Sequence, residues 1–258
     1  MNHKAKKRFG QNFLQDDGVL QHIVNAMHIQ PNDHLIEIGP GKGALTDYLL
    51  SYVTHLDVVE LDRDLIPLLE KKFGDKVTIY QADALEFPFE TLSKQPRDCR
   101  IVGNLPYNIS TPLLFHLFDR IDGIIDMHFM LQKEVVERIT APVNDKAYGR
   151  LSVMTQYFCQ TDYLFTVPPE AFDPAPKVES AIVRLTPKKQ PDLVVKDFAL
   201  FSEIVKEAFT YRRKQLVNSL KRLITPELLA DLGIEPSARA QTLSVNEFVR
   251  ISNAISIK

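Results

Sequence analysis

Apolar residues first recur at helical spacing. Val19, Leu20, Ile23, Val24 and Met27 share one face of a segment from Asp16 to Ile29, with Asp16 or Asp17 placed to cap it. After Pro31-Asn32-Asp33 the rhythm changes to short apolar runs separated by helical stretches. His34–Ile38 predicts a strand ending in a glycine turn, and Ala44–Ser51 predicts a helix. Leu56–Glu60 predicts a second strand, followed by a helix up to Phe73. Pro67 fits poorly inside that helix and is expected to delay or kink it. Val77–Tyr80 and Arg100–Val102 give strands three and four. Pro112–Phe118 is helical, and Met127–Leu131 is a fifth strand leading into a helix at Glu134–Ile139.

Repeated strand–helix alternation over about 100 residues predicts a parallel sheet with helices on both faces. Beyond it, Tyr148–Gln160 reads as a helix. Tyr163–Val167 and Ala181–Leu185 read as strands six and seven, flanking the proline-rich loop Pro168–Pro176. Past the polar hinge Pro187-Lys188-Lys189-Gln190-Pro191 only helical patterns follow. The expected architecture is an α/β domain over residues 1–187, with a Rossmann-like, seven-stranded, mostly parallel sheet. A small all-helical domain is expected over residues 188–258.

Composition narrows the classes. A chain of 258 residues with 45% hydrophobic and 25% charged side chains can bury a full core. No apolar run approaches the roughly 18 residues of a membrane span. The basic start, Met1 to Arg8, is not followed by an apolar signal region, so a cytoplasmic protein is expected. Cys99 and Cys159 are far apart in apolar surroundings and read as buried free thiols. The seven histidines are scattered and form no ligand-like pair with cysteine or carboxylate, so no metal site is expected. A net charge of −2 argues against indiscriminate coating of nucleic acid. The positive charge is nonetheless clumped, at Lys4, Lys6, Lys7 and Arg8 and again at Arg212, Arg213, Lys214, Lys221 and Arg222. Such patches suit a defined phosphate surface, although on their own they more often describe a solvated face.

Candidate chemistry begins at Glu37-Ile38-Gly39-Pro40-Gly41-Lys42-Gly43, where the first strand turns into a helix. Glycines there let the backbone pass close to a ligand at a helix N-terminus. Gly39, Gly41 and Ala44 also satisfy the G-x-G-x-x-G/A dinucleotide fingerprint, so this stretch alone fits a nicotinamide enzyme. Later residues add to it. Glu60 ends strand two, where a carboxylate accepts from both ribose hydroxyls of an adenosine moiety. Asp83 ends strand three, where it accepts from an adenine amine, and Asn104 ends strand four. Each alone reads as a cap or turn residue; as a set they face one crevice at the carboxyl ends of successive strands.

Gly103-Asn104-Leu105-Pro106-Tyr107-Asn108-Ile109-Ser110 resembles the N-(L/I/P)-P-(Y/F) signature of methyltransferases that alkylate planar exocyclic amines. The adenine N6 lone pair is delocalised into the ring and is a poor nucleophile. A side-chain amide oxygen and a backbone carbonyl that accept from the amine draw its nitrogen toward tetrahedral geometry. The proline keeps the loop rigid, and the aromatic ring gives a flipped base a stacking face.

The resemblance extends along nearly the whole chain. Lys7 to Leu14, Glu37 to Thr46, Asn104 to Leu114, Leu131 to Arg138, Ala147 to Ser152 and Phe172 to Ser180 are all similar to the bacterial small-subunit (16S) ribosomal RNA adenine N6,N6-dimethyltransferase family, the kasugamycin-resistance dimethyltransferases. It implies a class I methyltransferase fold using S-adenosyl-L-methionine, with S-adenosyl-L-homocysteine as product and no metal. The implied substrate is two adjacent adenosines in the 3′-terminal hairpin loop of 16S rRNA, within an immature small ribosomal subunit, and a monomer is expected. Asn12, Leu14 and Gly39 would hold the methionine end of the cofactor and Glu60 its ribose. Asp83 would contact the adenine, with Gly41, Leu61 and Ala84 completing the set. Asn104 and the Leu105–Pro106 backbone would accept from the target amine, and Tyr107 and Phe172 would sandwich the base. Lys7, Arg8, Arg150, Arg212, Arg213, Lys214, Lys221 and Arg222 are the expected RNA contacts.

Three other readings share some of these features. The 23S rRNA adenine dimethyltransferases of macrolide resistance have the same catalytic loop, but Gln132-Lys133-Glu134 and Ala147 to Ser152 fit the small-subunit family better. DNA adenine methyltransferases usually begin the loop with Asp. A non-catalytic assembly factor would not need both the cofactor set and the Asn-Leu-Pro-Tyr loop intact.

Overall fold

Strands β1 (Phe13–Leu14), β2 (His34–Ile38), β3 (Leu56–Glu60), β4 (Val77–Gln81), β5 (Cys99–Asn104), β6 (Ile124–Gln132), β7 (Cys159–Val167), β8 (Phe172–Asp173) and β9 (Ser180–Pro187) form two sheets in the computed structural model. The structure describes residues 6, 11–93, 95–211 and 214–255. The large sheet has seven strands in the order β4-β3-β2-β5-β6-β9-β7. Strands β2 to β6 pair in parallel, and β9 runs antiparallel to β6. Parallel strands covered on both faces read as near-continuous apolar runs, and β3 is buried at all five residues.

The α-helices among the described residues are α1 (Asp17–Met27), α2 (Ala44–Leu49), α3 (Ile66–Phe73), α4 (Ser110–Phe118), α5 (Lys133–Thr140), α6 (Arg150–Phe158), α7 (Phe198–Thr210), α8 (Leu216–Ser219), α9 (Pro226–Asp231) and α10 (Val245–Ile255), the last four following the final strand. Helix α1 starts where the Asp16 carboxylate accepts from Val19 N at 2.8 Å. It stops at His28, which turns left-handed, and it buries Leu20, Ile23, Val24 and Met27. Pro67 delays α3 rather than kinking it. It lies in the first turn, where an N–H would have no intrahelical partner.

Contacts divide the chain into two compact units, Met1–Val136 with Thr161–Pro187, and Glu137–Gln160 with Lys188–Lys258. The first holds nearly all of the sheet. The second takes in 137–160, which the sequence pattern places with the α/β domain. Its reason is aromatic packing: Tyr157 of α6 lies 5.3 Å from Phe201 of α7, and Phe209 of α7 lies 5.7 Å from Phe248 of α10. Tyr148 is fully buried there and donates to the Leu243 carbonyl at 3.0 Å. Among the described residues no helix is long and apolar enough to cross a membrane.

The short pair β1–β8 joins Phe13 to Asp173 and Leu14 to Phe172 in antiparallel register. Gln15 N extends it by donating to Ala171 O at 2.8 Å. Two-residue strands carry no readable periodicity, so the sequence pattern does not announce them.

Candidate active site

The strand order reverses between β2 and β5: the chain builds outward from β2 through β3 to β4, then returns to lay β5 on the other side of β2. A crevice at such a switch point, outside the carboxyl ends of the strands, is where open α/β sheets bind ligands. Here it is a cavity of about 690 Å³, in the size range of a small-molecule or cofactor site. Asn12, Leu14, Gly39, Gly41, Glu60, Leu61, Asp83, Ala84, Asn104, Leu105, Pro106 and Tyr107 all line it.

The glycine turn after β2 wraps onto β3. Gly41 N donates to Glu60 Oε2 at 3.1 Å, and Asp62 N donates to Oε1 at 2.8 Å. Glu60 is buried, and burial holds its carboxyl above the usual range against the pull of these donors. A side chain at Gly41 would be strained at φ +59°, and its Cβ would stand 3.0 Å from the Phe13 ring. Asp83 spends Oδ1 on Leu85 N at 2.9 Å in a turn beyond β4. Leu61 is 47% exposed, an apolar side chain open to a flat partner.

Gly103 lets β5 reach the cavity in close contact with β2, since a Cβ there would lie 2.6 Å from the Ile38 carbonyl oxygen. The next residue, Asn104, donates from Nδ2 to the Asn12 carbonyl at 3.0 Å. That bond fixes the amide orientation and leaves Oδ1 as the acceptor. Within the loop, Ile109 N donates to Pro106 O at 3.1 Å and Leu105 N donates to Met130 O at 3.1 Å. Among the described residues no backbone N–H donates to the Leu105 carbonyl. Tyr107 is held by its hydroxyl, 2.9 Å from Ser180 Oγ, with its ring half-buried at the cavity wall.

Glu37, Asp62 and Gln11 are among the lining residues that the sequence pattern does not mark as ligands. Glu37, in β2, is fully buried and accepts from Thr46 Oγ1 at 2.6 Å; burial pushes its carboxyl up to about 8. Asp62, also buried, accepts from Lys6 Nζ at 2.5 Å and from Gln11 Nε2 at 3.0 Å, tying the N-terminal segment to the end of β3. Gln11 lines the cavity beside Asn12. For Glu37 the signal was its place one turn of the strand before Gly39; for Asp62 and Gln11 no local pattern carries it.

Two expectations change. Phe172 does not line the cavity; it is 6% exposed, paired with Leu14 across β1–β8 and packed in the core, where an apolar ring gains most from leaving water. The histidines are not all isolated from ligating groups: His34 Nε2 lies 2.7 Å from Asp57 Oδ2, and its Nδ1 lies 3.4 Å from Cys99 Sγ. Sequence spacing hides this because the partners come from neighbouring strands 23 and 65 positions away. Of the basic residues, Arg150, Lys214, Lys221 and Arg222 are exposed on the second unit, and Lys214 stands 4.0 Å over the Tyr211 ring. Lys7, Arg8, Arg212 and Arg213 lie outside the described residues.

Comparison with known proteins fits this geometry. The chain is 58% identical over 253 residues to ribosomal RNA small subunit methyltransferase A of Coxiella burnetii, covering 97% of this chain and 98% of that protein. It superposes on a dimethyladenosine transferase from Plasmodium falciparum with a TM-score of 0.81 at 26% identity, over 95% of this chain and 98% of the other. The 23S rRNA methyltransferase ErmE has the same fold, with a TM-score of 0.72 at 24% identity over 95% of this chain and all (100%) of that one. The family described as ribosomal RNA adenine dimethylase matches residues 2–256, and the chain belongs to it.

Proposed function

We propose that this protein transfers methyl groups from S-adenosyl-L-methionine to N6 of two adjacent adenosines in the 3′-terminal hairpin loop of 16S rRNA, acting as a monomer on an immature small subunit in the cytoplasm. The observation that carries this reading is the committed amide of Asn104. With Nδ2 bound to the Asn12 carbonyl, Oδ1 is the group left to accept from a target amine. The Leu105 carbonyl is the second acceptor, because that of Pro106 is taken by Ile109 N. Two acceptors at one edge hold an exocyclic amine and favour the tetrahedral nitrogen that attacks a methyl group. The Tyr107 ring, fixed through Ser180, provides the stacking face. Phe172, held in the core, supports the cavity through Leu14 instead of stacking on the base.

The lining suits the cofactor by its own chemistry. Glu60 has acceptor capacity left for ribose hydroxyls, Asp83 has a second carboxylate oxygen for an amine, and Leu61 offers an apolar face. When bound, the sulfonium cofactor supplies an already activated methyl group, so no metal is required by the chemistry. The proton leaving N6 goes to solvent once the nitrogen is alkylated. Lys7, Arg8, Arg150, Arg212, Arg213, Lys214, Lys221 and Arg222 supply the phosphate contacts of the RNA.

The test is methyl transfer from labelled cofactor to immature small subunits, large subunits and duplex DNA in parallel. Labelled dimethyladenosine confined to the 3′-terminal hairpin of 16S rRNA is expected. Preferential labelling of 23S rRNA would identify the macrolide-resistance activity instead, and binding to small subunits without methylation would leave an assembly role.

A further inference from the structure

The sheet carries a second cluster of chemistry at the opposite ends of its central strands. His34 is the first residue of β2 and Cys99 the first of β5, and the two are direct partners in the parallel register. Their side chains therefore share one face, with Sγ 3.4 Å from Nδ1. From these positions we propose that His34, Cys99 and Asp98 bind a divalent transition-metal ion of the zinc class.

Zinc–sulfur and zinc–nitrogen bonds of about 2.3 and 2.0–2.1 Å at a tetrahedral angle put the two ligand atoms roughly 3.5 Å apart. The observed separation matches that edge before any ion is added. The Asp98 carboxylate completes a set whose ligand atoms all lie within 4.8 Å of one another. Asp57 Oδ2, 2.7 Å away, accepts from Nε2–H, and in the neutral ring this turns the Nδ1 lone pair toward the cysteine side. A carboxylate on the far nitrogen of a ligating histidine orients the ring and raises its basicity.

The His34 side chain is about a quarter exposed, at 26%, and Asp98 is half-buried. An ion thus has an entry path and a fourth position for water. Binding exchanges the Cys99 thiol proton, released to solvent, for a metal–thiolate bond. Soft and borderline donors of this kind select zinc or cobalt over magnesium or calcium. The site clamps β2 to β5, the two strands that flank the cofactor crevice, from the ends remote from it.

The experiment is a titration of the chelator-stripped full chain with Co²⁺, followed by Zn²⁺. One equivalent of cobalt is expected to give a thiolate-to-cobalt charge-transfer band in the near ultraviolet, and zinc to displace it and raise Tm. Cys99→Ser should lose the band and Cys159→Ser should keep it, since these are the two cysteines of the chain. Asp57→Asn, which keeps all three ligands, should weaken binding about 10- to 100-fold. Absence of the band in folded wild-type protein at excess cobalt overturns the proposal, as does its survival in Cys99→Ser. Should Cys99→Ser not fold, the wild-type titration decides together with His34→Gln, which must weaken cobalt binding at least ten-fold.

Discussion

In the proposed reaction Asn104 offers one oxygen to the target amine, because its nitrogen is already committed to Asn12. Asn104→Ala should slow single-turnover methylation by about 100-fold, the range for losing one preorganised polar contact to a transition state. The loop motif alone suggests that Asn104→Asp, which keeps an acceptor, would do better. The Asn12 carbonyl reverses that expectation, since an ionised carboxylate would set oxygen against oxygen where a donor now sits at 3.0 Å. The Asp variant should be no faster than Ala at neutral pH and should recover as pH falls and the carboxyl protonates. A flat pH profile for the Asp variant, read by mass spectrometry of nucleosides, would refute this. Glu37 gives a second pH dependence, in stability. Its carboxyl titrates near 8 in the fold against 4.5 for the ordinary group, so the native state holds a proton that the unfolded chain has released. Stability should therefore fall as pH rises between these two values, and Glu37→Gln should flatten that slope in urea denaturation series.

At the scale of elements, β1 and β8 are two residues each; β1 still sets one wall of the cavity, and β8 pairs with it from behind. Phe172 anchors that pair from the core, so Phe172→Ala should cost about 3–5 kcal/mol of stability by urea denaturation. A loss below about 0.5 kcal/mol would be a surface value and would return the ring to a base-stacking role. The central parallel strands were legible because buried runs such as Leu56–Glu60 are bounded by glycine and polar turns, and a register error would expose their apolar sets. Pro67 was legible as an interruption, but only the helix start at Ile66 places it harmlessly in the first turn. The strap β1 was illegible because its partner lies far away and its residues differ little from a turn. Helix α6 could be read as a helix, yet a helical pattern does not say which body covers it. The site followed the same division. Residues at strand ends, Glu60, Asp83 and Asn104, announced themselves by position, whereas His34 with Cys99, and Asp62 with Gln11, meet only through the fold.

For the molecule as a whole, charge and connectivity matter more than any one contact. Exposed Lys214, Lys221 and Arg222 lie on the second unit, on a chain of net charge −2. Replacing all three with Gln should flatten the log–log salt dependence of RNA binding by roughly two, at about 0.7–0.9 per phosphate neutralised. Cofactor affinity, measured by calorimetry, should not change. An unaltered salt slope would make these residues plain solvated surface and shift the role to the basic N-terminus. Connectivity gives the cavity a history during synthesis. The segment that closes it is made before the other elements of the site, yet 158 positions separate Gln15 from Asp173, the far end of its tether. At about 5–20 residues per second, the segment waits roughly 10–30 s for that partner to be made. A nascent chain halted before Phe172 already contains all five parallel strands, with Glu60, Asp83 and Asn104 at or just beyond their ends, but Phe13 and Leu14 still lack their strand partners Asp173 and Phe172. Translation itself thus orders the events: the floor of the site comes first, and the closing wall late.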